Sequence, residues 1–128
     1  MIYVDSSVAL AHLLAEDRSP PVSFWQGELI SSRLLEYEVW TRINALKLAP
    51  SHGDYARDLI GRMALIELAP AVLARAIEPF AVAVGTLDAL HLASIEFLRA
   101  RGQAVELATY DQRMLAAART LAIKAAAL

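Results

Sequence analysis

Ile2-Tyr3-Val4-Asp5-Ser6-Ser7-Val8-Ala9-Leu10-Ala11 is the stretch on which the reading of the fold turns. A short β-branched and aromatic run gives way at Asp5 to residues that cap helices, and an apolar segment from Val8 to Ala15 follows. It reads as strand, turn and helix. The same order recurs near the other end, where residues 105–109 form a candidate strand and residues 111–121 a helix that opens on Asp111. Between them, Gly27 precedes a candidate strand at 28–31, and Ser31 or Ser32 is placed to cap the next helix. Leu35, Val39, Ile43 and Leu46 give that helix one buried stripe at spacings of four, four and three, with Pro50 as its stop. Further helices are expected at 54–63 and 71–77, a strand at 64–68, and a long helix from Thr86 to about Arg101 ahead of Gly102. Pro20-Pro21 starts a short helix through Trp25, and Ile123 onward is a candidate fifth strand.

Strands that alternate with helices and lack an in-and-out polar pattern form a parallel sheet covered on both faces, so the expected class is α/β. In such sheets the working crevice lies beyond the carboxyl ends of the strands, where the winding direction reverses. Asp5 and Asp111 stand at that end of the first and fourth candidate strands. If those strands are neighbours, two carboxylates from opposite ends of the chain meet in one crevice. Each of them is also an ordinary cap residue. Asp88, in the first turn of its helix, equally suits the helix dipole without any function. Glu36 and Glu38 lie roughly 200° apart on a helical period. Both flank the apolar stripe, so periodicity does not choose between them.

A length of 128 residues fits one domain, 1–128, large enough for a core without cross-links. The absence of cysteine excludes a disulfide scaffold and thiolate metal sites. No signal-like segment opens the chain and no apolar run approaches the length of a membrane span, so a soluble, cytoplasmic protein is expected. Twelve basic against fourteen acidic residues give a net charge of −2, with no basic footprint for nucleic acid. The hydrophobic fraction of 57% exceeds the usual range, which suggests apolar surface left for a partner.

Four segments, taken in order, resemble the PIN-domain ribonucleases and, within them, the VapC toxins of toxin-antitoxin pairs. Ile2-Tyr3-Val4-Asp5-Ser6-Ser7 is similar to the family's opening strand and first aspartate. Ile30-Ser31-Ser32 with Leu35 and Glu38-Val39 resembles the second motif and selects Glu38 over Glu36. Thr86-Leu87-Asp88-Ala89-Leu90-His91-Leu92-Ala93 resembles the third, and Thr109-Tyr110-Asp111-Gln112-Arg113 the fourth. The resemblance covers nearly the whole chain.

It implies a PIN-like fold, a parallel β-sheet of four or five strands flanked by α-helices. It also implies a catalytic and metal-binding cluster of Asp5, Glu38, Asp88 and Asp111 that holds Mg²⁺ or Mn²⁺ for endoribonuclease chemistry. Hard cations take oxygen ligands of this kind. The partners it implies are an RNA substrate, tRNA being the commonest class in the family, a VapB-type antitoxin and a second copy in a homodimer. Phe24, Trp25, Tyr37 and Trp40 are the aromatic candidates for those protein contacts. Without the four site acids the remaining charge is ten acidic against twelve basic, and ten of the twelve are Arg, whose fork suits phosphate. Arg33, Arg42 and Arg113 are candidate RNA contacts, and Ser6 and Thr109 candidates to orient the carboxylates or a metal-bound water, beside ordinary capping and strand roles. His91 reads first as a hydrogen-bonded core residue.

Three competing readings stand beside this one. A phosphoacceptor receiver domain wants an acidic pair at the first strand end and a Lys after the last strand, yet no acid precedes Asp5 and Lys124 falls in the doubtful fifth strand. A haloacid-dehalogenase-type phosphatase wants an acid where Ser7 stands. A non-catalytic PIN-like interaction module lacks neither fold nor partners, but has no need of all four acids.

Overall fold

The computed structural model describes residues 1–128. In chain order it contains β1 (Ile2–Val4), α1 (Ser6–Leu13), a 3₁₀ turn (Val22–Gln26), β2 (Leu29–Ser32), α2 (Arg33–Ala45), α3 (Ala49–Gly61), β3 (Ala64–Ile66), α4 (Pro70–Ala76), α5 (Thr86–Ala100), β4 (Glu106–Ala108) and α6 (Gln112–Thr120). The four strands lie in the order β3-β2-β1-β4, and every pair is parallel. This is an α/β fold of the PIN-like kind, with β1 between β2 and β4 at the reversal of winding.

Register assigns the two faces. Tyr3 stands opposite Ile30 and Leu107, and all three join Leu92, Ile95, Leu98 and Met114 in the layer beneath α5 and α6. Val4 stands opposite Ala108 and, with Leu29, joins Val8, Leu35, Val39, Ile43 and Leu59 in the layer beneath α1, α2 and α3. Strands this short carry few ladder bonds. Each fully buried Leu, Ile or Val, by contrast, contributes roughly 1.5–3 kcal/mol relative to exposure, so the two layers hold the sheet together.

Several boundaries differ from the sequence expectation for identifiable reasons. Pro50 does not stop α2; it sits in the first turn of α3, where a missing N–H costs nothing. The helix α2 has already ended at Ala45, and the chain turns at Lys47 with φ 57°. Leu46 therefore falls beyond the buried stripe and is 42% exposed. Gly85, not Thr86, occupies the cap position of α5. The expected fifth strand reduces to one bridge, Leu107 to Ala125, with Leu107 N–H donating to Lys124 O at 2.8 Å and Ala126 N–H to Leu107 O at 2.8 Å. That bridge still covers the outer edge of β4. Phe24 and Trp25 are core residues rather than surface aromatics, whereas Tyr37 is exposed.

Candidate functional site

Every strand end that the sequence equips with an acid or a hydroxyl opens at the same side of the sheet. Asp5 follows β1, caps α1 and is buried. Its Oδ2 accepts from Ser7 Oγ at 2.6 Å, Thr109 Oγ1 at 2.7 Å and the Ser7 amide at 3.4 Å. One oxygen is thus saturated by the protein. The other, Oδ1, lies 3.6 Å from His91 Nε2. The two hydroxyls are fixed in turn by the chain after β4: the Tyr110 amide donates to Ser7 Oγ and the Asp111 amide to Thr109 Oγ1, both at 3.0 Å. Pairing of β1 with β4 is what brings these segments together.

Asp111 repeats the pattern as the cap of α6. Its Oδ1 accepts from the amides of Arg113 at 2.9 Å and Met114 at 3.3 Å, and the second oxygen carries no such bond. Glu38 approaches from α2, on the opposite face of the sheet from α5, and its Oε1 is 2.6 Å from His91 Nε2. The ligand-capable atoms of Asp5, Glu38 and His91 all lie within 4.8 Å of one another. Glu36 points elsewhere, into an exposed pair with Arg33 at 3.4 Å.

His91 is fully buried, and so are its neighbours Tyr3 and Ser32. Tyr3 Oη lies 2.7 Å from His91 Nδ1 and donates to Ser32 Oγ at 3.0 Å, while Ser32 Oγ also accepts from the Leu34 amide at 3.3 Å. A doubly protonated imidazole lets both ring nitrogens donate, Nδ1 to Tyr3 Oη and Nε2 to Glu38 Oε1. Burial disfavours that charged ring, yet the Tyr3 oxygen, the Glu38 hydrogen bond and the Asp5 and Glu38 charges outweigh it and raise the His91 pKa.

Asp88, in the first turn of α5, has no side-chain hydrogen bond of this kind. Burial raises its carboxyl from the ordinary 3.8 to about 6, and the charges of Asp111, Asp5 and Glu38 push the same way against the opposing His91. A fold that prefers the protonated acid gains stability below the unfolded pKa and loses it as pH rises through the folded one. In chelator, therefore, Asp88→Asn should melt higher than wild type at ~pH 7.5 and at nearly the same temperature at ~pH 3.5. An advantage that does not change with pH would mean the carboxyl is not crowded.

The donor set suits a hard divalent cation. Asp5 and Asp111 each spend one oxygen on the protein and keep the other, Glu38 has one oxygen engaged by His91, and Asp88 is raised by burial and by the acidic charges around it. Oxygen donors in excess of local positive charge are what Mg²⁺ and Mn²⁺ bind.

The remaining sequence candidates fall in different places. Thr109 holds Asp5 as described, but the serine that orients this carboxylate is Ser7, not Ser6. Two positions past the cap, the Ser7 hydroxyl and amide turn back over Asp5, as an N-cap requires. Ser6 instead lines a cavity of about 460 Å³ with Glu38, Tyr37, Arg42 and Leu87. Arg113 is exposed two residues after Asp111. Arg33 is engaged by Glu36 and by Glu67 at 3.0 Å. The Tyr3–Ser32 connection went unread in the sequence because it joins residues 29 apart across two strands; only the i, i+3 spacing of His91 from Asp88 hinted at the crevice.

A comparison with curated proteins returns no match. Against family models the result is positive: residues 2–120 match the family described as PIN domain, whose members are generally metal-dependent nucleases. The match spans all four acids, the reversal between β1 and β4, and both helical layers. By that match, over nearly its full length, the chain belongs to the PIN domain family.

Proposed function

We propose that this protein is an Mg²⁺- or Mn²⁺-dependent endoribonuclease that serves as the toxin of a VapBC-type pair in the cytoplasm, with tRNA the first target class to test. The observation that carries the reading is the approach of Asp5 and Glu38, whose ligand-capable atoms lie with those of His91 within 4.8 Å of one another, together with Asp88, which burial and the charges of Asp111, Asp5 and Glu38 hold up to about 6, in a chain of the PIN domain family. Asp5, Asp88 and Asp111 would hold the cation directly, and Glu38 would hold it through a water. A bound divalent ion supplies Lewis acidity toward a phosphate oxygen and a more acidic water. The chain's own part is positioning. Ser7 and Thr109 fix Asp5, the α6 amides fix Asp111, and Glu38, held at Oε1, keeps its second oxygen to orient the attacking water. Arg113, exposed beside Asp111, offers a phosphate contact.

The partner half of the reading rests on a different surface. Leu73, Ile77, Phe80, Val82 and Val84 line a groove of about 630 Å³ between α4 and the start of α5, and Ile77 is 87% exposed. Apolar surface of this kind marks protein contacts. The expected partners are a second copy and a VapB-type antitoxin.

Induced expression without the antitoxin should arrest growth and degrade a discrete RNA, and Asp88→Asn should do neither. Growth unaffected by the wild-type protein, with RNA intact, would leave a non-catalytic PIN module as the better description.

A further inference from the structure

Glu38 is the one acid of the four whose side chain is anchored by a residue from the far side of the sheet, and that residue leads on to two more. From Glu38 Oε1 the chain of contacts runs 2.6 Å to His91 Nε2, 2.7 Å from Nδ1 to Tyr3 Oη, and 3.0 Å to Ser32 Oγ. It joins α2 to α5, then β1, then the end of β2, where Ser32 also caps α2. The path closes on the helix that carries Glu38. Tyr3, Ser32 and His91 are each 0% exposed, so no water competes for these bonds. Tyr3 and His91 also meet edge to face, with ring centroids 5.6 Å apart.

We propose that His91 is a positioning residue for Glu38, braced by Tyr3 and Ser32, and that this buried strut sets the affinity of the acidic crevice for its cation. The inference rests on the metal-dependent reading above and adds to it a residue set outside the four acids. His91 acts from behind the carboxylates. Its Nε2 is already engaged by Glu38 and lies 3.6 Å from Asp5 Oδ1, and its other nitrogen is engaged by Tyr3, so the ring orients donors rather than adding one. Loss of such supporting bonds behind a metal ligand typically weakens binding by about 10–100-fold.

The test is Mn²⁺ titration calorimetry on four folded proteins: wild type, His91→Gln, His91→Leu and Tyr3→Phe, with melting curves in chelator as the fold check. His91→Gln keeps an N–H for Glu38 and is expected within about threefold of wild type, while His91→Leu weakens Mn²⁺ by at least about tenfold. Tyr3→Phe keeps the core volume and loses only the brace, so it covers the case in which His91→Leu fails to fold; a weakening of roughly threefold or more is expected. Unchanged Mn²⁺ affinity in folded His91→Leu or in Tyr3→Phe overturns the proposal. So does a ¹⁴N coupling from His91 in the Mn²⁺ electron spin echo spectrum, lost equally in His91→Gln and His91→Leu, which would make the ring a ligand. Wild type that binds no Mn²⁺ would overturn the metal-dependent reading itself, a separate outcome.

Discussion

Asp88→Asn is expected to lower Mn²⁺-dependent RNA cleavage by on the order of a hundredfold or more while raising the melting temperature of the metal-free protein. Loss of a partner behind a ligand already costs about 10–100-fold, and loss of a charged oxygen facing the cation should cost at least that. The stability change has the opposite sign because the carboxylate is half-buried among like charges from Asp111, Asp5 and Glu38. The amide keeps the shape and removes the repulsion. Glu36→Gln serves as the control: its carboxylate is committed to an exposed pair with Arg33, and its activity should stay within about twofold of wild type. Initial rates on a defined RNA, with melts in chelator, check both halves. An Asp88→Asn protein that cleaves as wild type does would remove Asp88 from the site.

Asp5→Ala should behave differently although it neutralises the same cluster. Its Oδ2 accepts from Ser7 Oγ, Thr109 Oγ1 and the Ser7 amide, so removal takes the acceptor from the buried Thr109 hydroxyl and from the half-buried Ser7 hydroxyl and amide, and leaves α1 without its cap. An unsatisfied buried polar group costs about 1–3 kcal/mol and a lost cap about 1 kcal/mol. Relief of repulsion offsets only part of this, and a net loss of roughly 2–3 kcal/mol, about 10 °C in melting temperature, is expected even in chelator. Charge alone would have neutralisation at Asp5 stabilise the protein; the sequence displays the acids but not the hydrogen bonds that saturate one of them. Asp5→Ala melting at or above wild type would mean the Ser7 and Thr109 bonds contribute little.

Most of the fold was legible because its signals are local. Asp5 after one apolar run and Asp111 after another placed two acids at strand ends, and the alternation of elements implied the parallel sheet in which β1 and β4 are indeed neighbours. The errors fall where one residue type serves two local ends. Pro50 stops a helix or starts one, and only the turn at Lys47 decides. Ser6 and Ser7 are equivalent in composition, and the geometry of the α1 cap alone selects Ser7. Glu36 and Glu38 are equally placed relative to the stripe of α2. What separates them in the structure is a contact with His91, 53 residues away, which no spacing along the helix could reveal. The apolar surplus pointed to a partner surface, and of the aromatics named for it Tyr37 is 64% exposed while Phe24 and Trp25 are buried. Further exposed apolar side chains, Leu73, Ile77 and Val82, line the groove between α4 and α5, which no local spacing in the sequence singles out.

Anomalous diffraction from crystals soaked in Mn²⁺ tests the central claim most directly. The proposed site at the ends of β1 and β4 should hold an anomalous peak bounded by carboxylate oxygens of Asp5, Asp88 and Asp111, and the same soak of Asp88→Asn crystals should give a weaker peak or none. A crevice without anomalous density in the wild-type protein, or manganese held by other residues instead, would contradict the account.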